Sequence, residues 1–449
     1  MFYKGDRCFG VPKAVVLIFL GMSDDTVDED AVPSRLWLLA LTDYLSEMFY
    51  DASYAGFQFQ VSNEIDGLSI QFAGFSDKLV LLVEKVLSTL QEFQGPSDQD
   101  FSEVLDRVRR EQKSFDAQPS YQYAAYSARI ATHNPDYSIE FLRRQTAKAS
   151  AAAARNFGGR LRRRSPLYGQ ALLQGNVGPA DAAEIQRVLN AMPFEPLPRA
   201  RRTRVAVVKP PRKGALLARS NPNPSETNRA IWVTFSTGPE AKVVVMTELL
   251  QQILADPFYN EIRTKQQLGY VVLAQADRDG LSARLSLAVQ SSSREPEELL
   301  EAVQAFLVQF KRTLEELPAK EFSAFKIALV EQIVKPDERL GEEAVRWWEE
   351  IRSFQFAWRR RTEEANLVTS VTKADLLNFY ESHFLPGGSE HRPVVSATFA
   401  QSGGGAEKAK RSLTAKFQAQ GGVIIEDAEK FSKTSEKWPY VERSPYDSL

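Results

Sequence analysis

Tyr54-Ala-Gly56-Phe57-Gln-Phe-Gln-Val-Ser-Asn-Glu-Ile-Asp66-Gly67-Leu68-Ser69 and Gln267-Leu-Gly269-Tyr270-Val-Val-Leu-Ala-Gln-Ala-Asp-Arg-Asp279-Gly280-Leu281-Ser282 are two copies of one pattern. In each, an aromatic residue follows a glycine, and Asp-Gly-Leu-Ser comes at a fixed interval after it. The copies stand 213 residues apart at both landmarks. The match extends upstream, where Leu36, Trp37, Leu41 and Phe49 fall on Leu249, Leu250, Leu254 and Ile262. Downstream, at a slightly larger offset, Leu79, Val83, Val86, Leu87 and Leu90 pair with Leu299, Val303, Phe306, Leu307 and Phe310. Phe101-Ser102 then matches Phe322-Ser323. One tetrapeptide match is cheap; so many apolar positions in order indicate an internal duplication.

Periodicity gives each copy a coarse shape. An apolar strand opens it, Val15–Leu20 or Ile231–Phe235, followed by a helix, Ser34–Phe49 or Lys242–Arg263. That helix is expected to end at Gly56 or Gly269, where a residue without Cβ can terminate it, with a strand bulge as the alternative. Two short strands flank the Asp-Gly turn, whose composition suits a hairpin. Two helices with a period of 3.6 follow, over 76–93 and 99–115, or 295–315 and 319–334. A last strand closes each copy, Ala171–Val177 or Val394–Ala400. Sheet and helices are segregated, so the fold class is α+β: two homologous domains, each a mainly antiparallel sheet with helices packed on one face. Pro193, Pro196 and Pro198 mark a junction near 195–205, giving domains 1–198 and 199–449. The tail from about Gly403 reads as loosely structured, with Trp438-Pro439-Tyr440 able to pin it to the body.

Composition limits the chemistry. The chain has 449 residues, 43% hydrophobic and 25% charged, with a formal net charge of −2. One cysteine, Cys8, excludes an internal disulfide framework, and only three histidines remain, His133, His383 and His391. Ala14–Leu20 after Lys4, Arg7 and Lys13 imitates a signal peptide, but the acidic residues that follow favour a buried strand. No other stretch approaches the ~18 apolar residues of a membrane span. No membrane partner is expected, and the location expected is cytoplasmic.

Arg263-Thr-Lys-Gln-Gln-Leu-Gly-Tyr270-Val-Val resembles a segment in the C-terminal half of insulin-degrading-enzyme-type proteases, the long inverzincins related to pitrilysin. Val11–Val16, Ala171–Asn176 and Lys373–Tyr380 are similar to segments of that family in the expected order. The resemblance implies four related α+β domains in two halves enclosing a chamber for peptides, with this chain holding the third and fourth. It also implies zinc on the other half, held by His-x-x-Glu-His and a distal glutamate. No such motif exists in this sequence. The chain is therefore expected to bind no metal or cofactor itself, and to be inactive alone and active only with a zinc-bearing homologous half. That half would be a separate subunit or an upstream region missing from this chain; Met1 is open to reading as a truncation or split-gene start.

Carried over by position, Arg263 would hydrogen-bond a substrate carbonyl and Tyr270 would donate to the scissile carbonyl or its oxyanion. Without the resemblance these residues read as a helix-end cation and a strand aromatic. The first copy has Tyr50 and Phe57 in their places. The histidines read as surface or capping residues. The basic runs 155–164 and 199–213 read as solvated loop and linker faces, with an electropositive chamber lining as the sharper alternative. A pI of about 6.1 argues against nucleic acid as a partner. Two functions follow from the resemblance: a catalysis-assisting half acting on peptide substrates, or an inactive derivative serving peptide binding or assembly.

Overall fold

The computed structural model describes residues 1–163, 165–280, 282–401 and 405–445, with the backbone alone of Asp279. The first sheet contains β1 (Phe2–Gly5), β2 (Lys13–Gly21), β3 (Gln58–Glu64), β4 (Gly67–Phe75) and β5 (Ser165–Gly175). The second contains β6 (Ala215–Ser220), β7 (Arg229–Gly238), β8 (Val271–Asp279), β9 (Ser282–Ser291) and β10 (Pro393–Phe399). Their orders, β1-β5-β2-β4-β3 and β6-β10-β7-β9-β8, agree position for position. In each, the outer pair is parallel (β1 with β5, β6 with β10) and the remaining pairs are antiparallel. The short strands Phe194–Pro196 and Val423–Ile424 add to β5 and β6.

The apolar positions matched between copies are core positions. Leu36, Trp37, Leu41, Leu79, Val83, Val86, Leu87 and Leu90 are buried over the first sheet. Leu249, Leu250, Leu254, Ile262, Leu299, Val303, Phe306, Leu307 and Phe310 do the same over the second. Each such side chain taken from water contributes about 1.5–3 kcal/mol. The 14–20 run is the middle of β2, at the centre of its sheet and almost wholly buried. A strand, not a leader-like segment, accounts for its β-branched composition.

Helix Pro33–Met48 covers the first sheet on one face, with Ser76–Glu92 and Asp98–Ser114; Ala241–Tyr259, Pro296–Glu316 and Ala319–Val334 occupy the corresponding places in the second unit. The opposite faces are covered by exchange. Helix Ser120–Thr132, from the first unit, lays Ala124 and Ala128 on Ala230, Trp232 and Ala288 of the second sheet. Helix Leu340–Arg352, from the second unit, lays Ala344, Trp348 and Ile351 on Leu17, Phe19 and Leu172 of the first.

Three sequence expectations change. The helix expected over Lys242–Arg263 ends at Tyr259 and continues as a wider π turn, Asn260–Lys265, closed by Gln266 N–H to Glu261 C=O at 3.0 Å. The Asp-Gly pairs occupy different places in their hairpins. Glu64 faces Gly67 across Ile65-Asp66, whereas Asp279 faces Ser282 across residues 280–281, because β8 has nine residues and β3 seven. Leu281 itself lies outside the described residues. Finally, the tail expected to be loose forms helices Ala406–Ala419 and Ala428–Thr434, because Leu413 and Phe417 bury against the second core. Residues 402–404, where that tail begins, lie outside the described residues. Trp438 does fasten it, donating from Nε1 to Ser236 Oγ at 2.7 Å.

Candidate functional site

Arg263, within the π turn, and Tyr270, just before β8, stand at the two ends of one short connection. Pro257 deprives the preceding helix of one backbone donor, and the wide turn begins at Asn260. Leu268 N–H bonds back to Ile262 C=O at 3.0 Å, with Gln267 at φ 51°, so the chain reverses within a few residues. Gly269 is not a helix terminator. A Cβ there would lie 2.3 Å from the Gln290 carbonyl oxygen, so its glycine permits close approach to β9. Gly56, at φ 85°, does end the short helix Tyr50–Tyr54. The two glycines match in sequence and differ in physical role.

Arg263 Nη1 donates to the Gly269 carbonyl at 3.2 Å, folding the guanidinium over the residue just before Tyr270. The rest of its fork has no partner among the described residues and faces the surface. Tyr270 is 52% exposed. Its backbone N–H bonds to Gln290 C=O at 3.2 Å, and its hydroxyl oxygen accepts from Gln290 Nε2. The connection thus carries an exposed guanidinium and an exposed phenol, the guanidinium bonded to the carbonyl of the residue before Tyr270. Glu261 is occupied with Gln266 and Lys265, both at 3.0 Å, and these bonds hold its carboxyl below the usual range. In the first unit the equivalent surface carries Tyr50 and Tyr54, both exposed, with ring centroids 5.4 Å apart.

A cavity lies elsewhere. About 1680 Å³ in volume, it opens between the two units, and neither Arg263 nor Tyr270 lines it. Ion pairs surround it. Arg352 reaches from the second unit to Glu64 at 3.0 Å and Asp66 at 3.1 Å, with its guanidinium 3.3 Å from the Phe19 ring centre. Arg278 joins Glu248 at 2.7 Å and Glu364 at 2.6 Å. Burial pushes the Asp66 and Glu248 carboxyls upward against the pull of those arginines. Sequence reading missed this cluster, because partners 30 to 288 residues apart share no periodic signal.

The histidines do not assemble a metal site. His133 is 6% exposed, in a two-residue strand paired with Ala206–Val207, and is the C-cap of helix Ser120–Thr132 with its Nδ1 3.0 Å from the Arg129 carbonyl oxygen, so of the surface and capping roles expected it takes the capping one. His383 and His391 are half-buried, and burial lowers both pKa values. Among the described residues no group of three or more His, Cys, Asp or Glu side chains could hold a metal ion. The zinc that the resemblance implies does not fit this chain's residues.

The arginines of the basic runs stay largely solvated, as expected, but the first run lies on helix Ala151–Arg162 rather than in a loop, and both runs pair with acids remote in sequence. Arg155 bonds Asp98 and Arg160 bonds Asp30; Arg199 and Arg204 converge on Glu442, and Arg201 bonds Asp25. Arg164 lies outside the described residues. No helix among the described residues is long and apolar enough to cross a membrane.

Comparison with known proteins gives the class. Residues 1–144 match the family model for the middle or third domain of peptidase M16, and residues 249–348 match that for the C-terminal lobe domain 4 of PqqF-like PQQ synthase. Human insulin-degrading enzyme is 26% identical over 388 residues, covering 85% of this chain and 38% of that protein. The crystal structure of pitrilysin superposes with a TM-score of 0.84 at 19% identity, over 98% of this chain and 45% of that one. A structure titled as the peptidase M16 inactive domain from Pseudomonas fluorescens superposes at 0.64 and 12% identity, over 89% of this chain and 95% of that one. The two family models, matched in order, and these relatives align the chain with the C-terminal half of M16-family peptidases. The chain spans about two fifths of the length of insulin-degrading enzyme.

Proposed function

We propose that this chain is the substrate-binding, catalysis-assisting half of an insulin-degrading-enzyme-like zinc metalloendopeptidase. Residues 1–198 and 199–449 then serve as the third and fourth domains of a four-domain enzyme that hydrolyses peptides in an enclosed chamber. The homologous half would hold the zinc, which would supply the activated water there. One observation carries the reading: Arg263 and Tyr270 stand at the two ends of one short connection, the guanidinium resting on the carbonyl next to Tyr270.

Peptide hydrolysis develops negative charge on the scissile carbonyl oxygen. A phenol O–H aimed at that oxygen stabilises the transition state more than the ground state, so its loss should fall on kcat. The planar guanidinium binds a backbone carbonyl already present in the substrate, so its loss should fall largely on KM. In an assembly with a zinc-bearing half, Tyr270→Phe should lower kcat about a hundredfold, the usual cost of one oxyanion donor. Arg263→Ala should raise KM about tenfold, as expected for one charge-assisted hydrogen bond. Unchanged constants in both variants would refute the assigned roles.

A second reading is favoured by the fold match along almost the whole length of a protein titled an inactive domain. The chain would then bind peptides or assemble with partners without assisting hydrolysis. Calorimetric titration with peptides separates the two. Binding by this chain, with no turnover in any pairing with zinc-bearing M16 halves, selects the second.

A further inference from the structure

Gln290 sits in β9, 1% exposed, opposite Val271 and Ala230. A buried amide needs both of its ends satisfied. Its Oε1 accepts the backbone N–H of Tyr121 at 2.9 Å, at the start of helix Ser120–Thr132 of the first unit. That helix start is itself fixed: Ser120 Oγ donates to Asn228 C=O at 2.8 Å and accepts from Asn221 Nδ2 at 3.0 Å. A backbone N–H can only donate, so the oxygen of the Gln290 amide must face Tyr121 and the nitrogen must face Tyr270. Tyr270 Oη therefore accepts from Gln290 Nε2. Its one hydroxyl proton then has no acceptor among the described residues and is free for a ligand.

We infer that Gln290 is a positioning residue for Tyr270, fixing the phenol as an outward donor to an oxygen of a bound peptide. The relay runs Tyr121 N–H to Gln290 Oε1, Gln290 Nε2–H to Tyr270 Oη, and Tyr270 O–H to the ligand. Each donor in such a chain is strengthened by the bond it accepts. The first unit, which lacks both Arg263 and Tyr270 counterparts, thus takes part in the second unit's site through one backbone amide. This rests on the proposed role of Tyr270, and adds the group that orients it.

The test uses the full chain in two measurements. In the first, Gln290→Leu, Tyr270→Phe and the double variant are compared in peptide turnover with a zinc-bearing half. Gln290→Leu is expected to lower kcat about tenfold, the worth of one hydrogen bond, with KM within about twofold and no further loss in the Tyr270→Phe background. Where leucine destabilises the strand, Gln290→Met, closer in shape, replaces it. A drop in Tyr270→Phe without one in Gln290→Leu, or losses that multiply, overturns the role of Gln290 and leaves that of Tyr270 intact. The second measurement needs no partner: fluorine NMR of the chain labelled with meta-fluorotyrosine, with the Tyr270 signal assigned by its absence in Tyr270→Phe. Gln290→Leu should move that signal toward the free amino acid; an unmoved signal overturns the inference. If Tyr270→Phe leaves turnover unchanged, the role of Tyr270 itself fails, and the fluorine signal alone decides whether Gln290 orients the ring.

Discussion

Gly269 and Gly56 show how a residue match can hide two kinds of physics. At Gly269 the constraint is space: a methyl group would strike the Gln290 carbonyl, so Gly269→Ala should cost about 1–3 kcal/mol in urea unfolding, as overpacking does. At Gly56 the constraint is backbone sign, since a Cβ there would meet nothing closer than the Phe75 ring at 3.5 Å. Gly56→Ala should then cost only the left-handed penalty of about 1–2 kcal/mol. The two variants differ more sharply in what they move. Gly269→Ala pushes β8 off β9 beside Tyr270 and should lower turnover by an assembled enzyme, whereas Gly56→Ala should leave turnover unchanged. Equal effects of both on activity would contradict the close-approach role of Gly269.

Among elements, the hairpins and the exchanged helices separate what sequence could reveal from what it could not. Strands β2, β4, β7 and β9 and the matched helices were legible because their apolar periods are long and recur in order. The turn was misplaced in both hairpins, and in opposite directions, because a lengthened β8 leaves the Asp-Gly spelling intact while sliding it along the hairpin. Helix Ser120–Thr132 offered no signal of its destination: Ala124 and Ala128 suit any helix, and their partner Trp232 lies in the other unit. The lock at Arg352 was equally silent, although its consequence is large. Arg352→Met should destabilise by about 2–3 kcal/mol, because it strands the buried Asp66 carboxylate while the better-solvated Glu64 keeps its water. The Arg263–Tyr270 site remains a proposal that rests on its ten-residue signature; Gln290, in an ordinary strand, carried no mark.

A pH effect also belongs to an element, the helix Lys373–Phe384 and the loop after it. Burial pushes the His383 and His391 pKa values down from the ordinary 6.5, so the folded state disfavours their charged forms. Below that pH the unfolded chain binds more protons than the folded one, and stability is lost as pH falls. Denaturant midpoints should therefore drop as pH falls below 6.5, and the His383→Asn/His391→Asn pair should flatten that slope. A slope unaltered by the pair would place the titration elsewhere.

At the level of the whole molecule, each sheet is finished by a helix that belongs to the other unit. Unfolding either unit alone would expose Leu17, Phe19 and Leu172, or Ala230, Trp232 and Ala288, to water. Calorimetry should therefore show a single cooperative transition, with calorimetric and van't Hoff enthalpies in agreement; two resolved transitions would contradict the exchange. The same interlocking delivers the Tyr121 amide to Gln290, tying the exposed loop of one unit to the frame of the other. The central claim is that this chain completes a peptidase whose metal it does not carry. Turnover of a quenched fluorescent peptide by the purified chain, by a zinc-bearing M16 half, and by their mixture tests it most directly. The account predicts no turnover by this chain with or without added zinc, and turnover in the mixture that falls about a hundredfold when Tyr270 is replaced by Phe. Zinc-dependent turnover by this chain alone, or a mixture indifferent to that replacement, would contradict it.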